Sequence, residues 1–206
     1  MRKLLFVAAV AALGAAPVAA APPTVTLKAS PTVVVYGGAT TLSGVLSTGR
    51  SGQSVDIQAQ ECGQNAFKKV ATVTTTTGGA FSASLKPTMN TAYQAKQKGA
   101  TSPSVTVKVS PVVSLRKVTR GKFTASVTAA QSFVGKYVVF QRLRTTKWVT
   151  LKKVTLATVK TTTAPTQVSS KTFRIRLKAG LRVRAVLPST QAGTCYLPAK
   201  SRAIRS

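Results

Sequence analysis

From Thr24 onward, apolar and polar residues alternate with period two in almost every segment. That is the spacing of strands with one buried face, not of helices. Val and Thr, stiff at the β-carbon and favoured on pleated surfaces, dominate these segments. Gly or Pro breaks the pattern at Pro31, Gly37, Gly38, Gly49, Gly52, Gly78, Gly79, Pro87, Gly99 and Pro103. Short alternating strands punctuated in this way predict antiparallel sheets closed into a sandwich or barrel. The strands are expected near residues 24–30, 39–46, 53–61, 66–76, 80–86, 91–97 and 104–109. A second set is expected near 112–118, 121–130, 136–144, 147–156, 171–178, 181–187 and 194–199. Phe81, Ala83 and Leu85 share one strand face, as do Phe173, Ile175 and Leu177, and Val55, Ile57 and Ala59 correspond to Val138 and Phe140. These are the core candidates.

The chain also repeats itself. Gly52–Gln60 lines up with Gly135–Leu143, Phe67–Val70 with Trp148–Leu151, and Ala80–Leu85 with Thr172–Leu177, after an extra stretch near 161–170. A period of ~90 residues is a domain duplication, too long for a solenoid unit. The boundary is expected at Ser110–Pro111, where proline interrupts strand pairing. This gives domains over 22–110 and 111–206. In the first repeat Leu27–Pro31, Tyr36–Gly38, Thr41–Gly44, Val70–Thr72 and Asn90–Tyr93 resemble the pattern of bacterial immunoglobulin-like domains, common in secreted and surface proteins of actinobacterial type. The second repeat resembles them more loosely, through Ala130–Gly135 and the strand of Trp148. The resemblance implies an all-β fold of two tandem immunoglobulin-like antiparallel β-sandwich domains. It implies a tyrosine corner at Tyr93, where the second repeat has Val183. It implies no particular activity.

There are two cysteines, one in each repeat: Cys62 and Cys195. Cys62 ends the third expected strand of the first domain. Cys195 begins the last strand of the second, after the turn at Ala192–Gly193. In immunoglobulin-like sandwiches both positions face the junction, so a Cys62–Cys195 bridge between domains is expected; pairing between chains and free thiols are the alternatives.

Charge is the most distinctive feature of the composition. Thirty Lys and Arg face two acids and no His, for a net charge of +28. Residues 22–110 carry eight basic and two acidic residues, whereas 111–206 carry twenty basic and no acidic ones. Such a surface attracts polyanions over long range. The candidate polyanion-binding residues are Arg142, Arg144, Lys147, Lys152 and Lys153 around the Trp148 hairpin, with Arg174, Arg176, Lys178, Arg182 and Arg184 on two later strands. Those two strands are expected in opposite sheets, so the charge should spread over both faces and not line one groove. Phe123, Phe133, Phe140, Trp148 and Phe173 are expected in the core, leaving Tyr137 and Tyr196 outside. With few free rings to stack bases, nucleic acid ranks below an anionic cell-wall or envelope polymer. Another surface protein is the alternative partner.

The same composition speaks against catalysis. Asp56 and Glu61 lie five apart on one strand and so on opposite faces, unsuited to paired acid–base work. Zinc and calcium ligand sets are missing, and no cofactor loop is evident. No catalytic, metal or cofactor residue is therefore expected.

Arg2 and Lys3 precede an apolar run from Leu4 to Leu13, and Val18–Ala20 supplies small residues. This reads as a signal peptide over residues 1–20, cleaved after Ala20. Ten apolar residues are too few to span a bilayer, which needs ~20. A secreted or surface-associated protein with no membrane span is expected. The string Leu187–Gln191 resembles a sorting signal but reads better as a strand end entering a proline turn.

Overall fold

The computed structural model describes residues 22–206, and the expected signal segment lies outside them. Nearly every element is a strand. The first half contains β1 (Lys28–Ser30), β2 (Val33–Val35), β3 (Thr40–Val45), β4 (Ser54–Glu61) and β5 (Lys68–Thr74). It continues with β6 (Ala80–Leu85), β7 (Thr91–Gln97), β8 (Ala100–Thr101) and β9 (Val105–Ser110). One sheet has the order β1-β3-β6, and the facing sheet has the order β2-β9-β7-β4-β5, with β8 against β7. The second half contains β10 (Val112–Thr119), β11 (Lys122–Ala129), β12 (Tyr137–Arg144), β13 (Lys147–Thr155) and β14 (Thr158–Thr161). β15 (Gln167–Arg174), β16 (Arg182–Leu187), a single helical turn α1 (Ser189–Ala192), β17 (Ala199–Lys200) and β18 (Ile204–Arg205) follow. Its sheets run β10-β11-β15-β14 and β13-β12-β16-β17, with β18 also on β16. These Greek-key orders make two immunoglobulin-like β-sandwiches.

Alternation fills each interior as the pleat requires. In the first, Leu42, Val55, Ile57, Phe81, Tyr93, Ala95, Val107 and Val109 are buried. In the second, Phe123, Phe140 and Phe173 meet with ring centroids 5.2–6.0 Å apart, close to Val127, Val138 and Val183. The duplication extends to a defect. The β4–β5 ladder shifts register between Ile57 and Gln58, and the β12–β13 ladder shifts at the corresponding Phe140 and Gln141. A bulge twists a strand pair locally, and here it recurs at one place in both sandwiches.

Several boundaries differ from the sequence expectation. Pro31 has no amide to continue a ladder. The chain leaves β3 there, and β2 runs parallel to β9, an exception to the otherwise antiparallel pairing among the described residues. β14 is exposed along its whole length and carries no burial pattern to betray it. The strand expected over 171–178 is β15, four residues earlier, because inward-facing Ser169 hides its start. Beyond Arg174 the amide of Ile175 turns to the Gly121 carbonyl at 2.9 Å, so Ile175 and Leu177 are only half buried. The last expected strand, 194–199, is not formed: the chain is irregular from α1 to β17, and β18 follows. Tyr93 is buried, but among the described residues its hydroxyl makes no backbone hydrogen bond of the tyrosine-corner kind.

Only Pro111 separates β9 from β10, and the sandwiches are joined elsewhere too. Cys62 and Cys195 form a disulfide with Cα atoms 5.3 Å apart. Cys195 lies in the irregular segment between α1 and β17, not at the start of a strand. Asn90 completes the joint. Its amide donates to the Cys195 carbonyl and its Nδ2 to the Thr194 carbonyl, both at 2.9 Å, while its Oδ1 accepts the Val109 amide at 2.8 Å. The Leu197 amide donates to the Val109 carbonyl at 2.8 Å.

Candidate functional site

The strand registers locate the charge. β11 begins and β15 ends, β12 ends and β13 begins, and β16 begins and β18 ends, all at the end of the second sandwich away from Cys195. At this pole three cation pairs sit directly opposite one another across neighbouring strands: Lys122 with Arg174, Arg144 with Lys147, and Arg182 with Arg205. Like charges in that relation destabilise a sheet. The second sandwich has no acidic side chain to offset them. Among the described residues the ion pair is Lys69 with Asp56, at 3.6 Å in the first sandwich.

Between the β10–β11 turn and the β15–β16 connection lies an open recess of about 550 Å³, lined by Arg120, Gly121, Arg174, Ile175, Arg176 and Leu177. Gly121 has φ of +72°, and a Cβ there would stand 3.1 Å from the Ile175 carbonyl oxygen. Glycine is thus needed for the turn to approach the connection and fix the rim. Lys152, on the inner face of β13, reaches the Arg174 carbonyl with its ammonium at 3.5 Å. Arg142 stands in register with the core residue Val183, and its Nε is buried with no hydrogen-bond partner.

Of the ten sequence-expected residues, Arg142, Arg144, Lys147, Arg174, Arg176, Lys178 and Arg182 lie at this pole, with Lys152 reaching it. Lys153 and Arg184 do not. They sit on the outer face of the β13-β12-β16 sheet, where Lys153 lies 4.9 Å from the Tyr137 ring centroid and Arg184 4.0 Å from that of Trp148. Arg184 Nε also donates to Gln141 Oε1 at 2.9 Å, and desolvation lowers its pKa from the ordinary guanidinium value. Its first-sandwich counterpart is Gln94, which donates to Gln58 at 2.7 Å. Two expectations are corrected. Trp148 is half buried on the outer face, not in the core, and Tyr196 is 3% exposed inside. As expected, the cations come from both sheets, Lys122 and Arg174 from one and Arg144, Lys147, Arg182 and Arg205 from the other, and these pairs gather at one pole beside the recess. Arg120, Lys122 and Arg205 join it unforeseen. The dipeptide Arg120–Gly121 marks a turn, but the pairing of Arg205 depends on a two-residue strand that no pattern announces.

The two acids are engaged in the first sandwich. Asp56 accepts the Thr72 hydroxyl at 2.7 Å, and Glu61 accepts that of Thr88 at 3.0 Å. Glu61, Lys68, Lys86 and buried Tyr93 line a cavity of about 360 Å³ between β5 and the end of β6. No cluster of three metal-ligating side chains occurs among the described residues, and no helix there is long and apolar enough to cross a membrane.

No family model matches the chain. No curated protein matches it either. Among solved structures it is similar to bovine butyrophilin, with 12% identity and a TM-score of 0.33 over 90% of this chain and 99% of that one. It is also similar to a tetra-tandem repeat in the extending region of a large adhesion protein, with 15% identity and a TM-score of 0.35 over 89% of this chain. That match spans about half of the adhesion fragment, 48% of its length.

Proposed function

We propose that this is an exported, non-enzymatic protein of bacterial immunoglobulin-like type, with domains over 22–110 and 111–206. In this reading the basic pole of the second domain associates with anionic polymers of the cell envelope. The observation that supports it is the set of three cross-strand cation pairs at one end of a sandwich with no acidic side chain. Solubility does not require cations to face one another, whereas an external polyanion would relieve them. A disulfide between the sandwiches fits an oxidising, extracellular setting. The test is retention on isolated envelope as salt rises. Binding should weaken steeply and should be lost when Arg144, Arg174, Arg176 and Arg182 are changed to Gln. Salt-insensitive retention would refute it.

A second reading, a protein-binding adhesin-type module, has its own observation. In the second sandwich β14 covers the outer edge of β15, whereas β6 of the first has no such neighbour. An open edge can accept an extended segment of a partner. Retention that survives the four Arg substitutions but fails when β6 is blocked by Ser82→Pro would favour it.

A further inference from the structure

We infer that the recess between the β10–β11 turn and the β15–β16 connection is a discrete site for a phosphodiester group, and that the preferred polymer is a polyol phosphodiester. This rests on the reading of the pole as a polyanion surface and gives that surface a specific centre.

Guanidinium chemistry supports it. Arg120 lines the recess from the turn, Arg174 from the end of β15 and Arg176 from the connection. Planar guanidinium forks match the paired oxygens of phosphate, where an ammonium acts only as a point charge. The Arg distribution is uneven in the same sense: residues 22–110 hold one Arg, Arg50, and residues 111–206 hold ten. Lys122 stands opposite Arg174, adding charge beside the forks.

The rim is fixed in advance. The bond from the Ile175 amide to the Gly121 carbonyl, at 2.9 Å, ties the turn bearing Arg120 to the connection bearing Arg176. Ile175 and Leu177 supply an apolar part of the lining suited to the carbons of a polyol and not to a second charge. The volume, about 550 Å³, is more than one phosphate needs and suits a phosphodiester with the carbons on either side.

The aromatic groups decide between sources of phosphodiester. No aromatic residue lines the recess. On the outer face of the β13-β12-β16 sheet Arg184 lies over the Trp148 ring, and Tyr137, under Lys153, stands at the start of β12, away from the pole. Single-strand binders stack bases on free rings, and this pole offers none in the recess itself. A polymer without bases is the better fit.

The experiment measures binding of the protein to poly(glycerol phosphate), to polygalacturonate and to single-stranded oligonucleotide, matched in charge number, at fixed low salt. Two variants of equal charge are compared: Arg120→Gln/Arg174→Gln/Arg176→Gln in the recess, and Lys136→Gln/Lys160→Gln/Lys171→Gln elsewhere in the second sandwich. The recess variant should lose about tenfold more affinity for poly(glycerol phosphate) than the control, beyond the shared loss from released counterions. Arg176→Gln alone, outside any strand, should show part of that difference and serves if the triple variant misfolds. Equal losses in both triple variants, or equal affinity for polygalacturonate, would overturn the discrete site while leaving polyanion association standing. Tighter binding of the oligonucleotide would overturn the choice of polymer. Failure of the unaltered protein to bind any of the three would remove both readings.

Discussion

Tyr196 in the second sandwich donates its hydroxyl to the carbonyl of Thr88 in the first, at 2.9 Å, across 108 residues of sequence. The same oxygen accepts the amide of Ala130 at 3.2 Å. One phenol thus satisfies a backbone acceptor of one sandwich and a backbone donor of the other. Tyr196→Phe should cost about 1–3 kcal/mol, since both groups lose their partner at a part-buried site. Urea unfolding measures it, and an unchanged midpoint would mean that the joint does not depend on this contact.

Burial pushes the hydroxyls of Tyr93 and Tyr196 up to about 12 from an ordinary 10.0. Each folded-state pKa is therefore above its unfolded value. The neutral phenols contribute their full stability below pH ~10, and this is lost as pH rises towards 12. Stability should fall between those limits as the unfolded chain sheds protons that the folded chain retains. Absorbance titration should show two tyrosines ionising late, and Tyr196→Phe should remove one of them. Uniform early ionisation of every tyrosine would contradict this.

The bridge between Cys62 and Cys195 spans a sequence separation of 133 residues. The chain-entropy model allows roughly 4–5 kcal/mol for a loop of that size, as an upper figure. Reduction should lower stability and increase movement between the sandwiches, while the bonds of Asn90 and Tyr196 keep part of the joint. Scattering from the reduced and oxidised protein should differ in maximum dimension or its spread. Identical profiles and identical unfolding midpoints would show that the bridge is redundant.

Arg142 yields the least intuitive expectation. Its Nε is buried without a partner, so Arg142→Met should stabilise the fold by about 1–3 kcal/mol by removing an unmet donor. The same change should weaken polyanion binding. A lower unfolding midpoint in Arg142→Met would show that the guanidinium is structurally required.

Much of the architecture was legible because alternation with a stiff β-branched vocabulary leaves few other solutions. Strands such as β4, β7 and β12 lie within a residue of their expected limits. The failures share a cause. β14 is exposed on all sides, β15 begins with polar residues facing inward, and β17 and β18 are two residues long. In each, the ladder is set by a neighbouring strand and leaves no mark on local hydropathy. The disulfide was legible through topology, because loop ends at one pole of an immunoglobulin-like sandwich are neighbours whatever their sequence. The cationic residues were legible as a composition, but not as a pole. Gathering Arg120, Arg174 and Arg205 requires knowing where β15 stops and that β18 exists. Trp148 was misplaced for a related reason: a large ring reads as core unless the guanidinium of Arg184 is known to cover it.

The single-residue link at Pro111 is backed by the sulfur bridge and by the hydrogen bonds of Asn90, Leu197 and Tyr196. Several contacts beside one short link oppose bending in a way that the link alone does not. The molecule therefore resembles a rigid spacer more than beads on a string. If the first sandwich is fixed to something, the arginine-rich tip stands at a set height above it, reaching one layer of its surroundings and missing those nearer or farther.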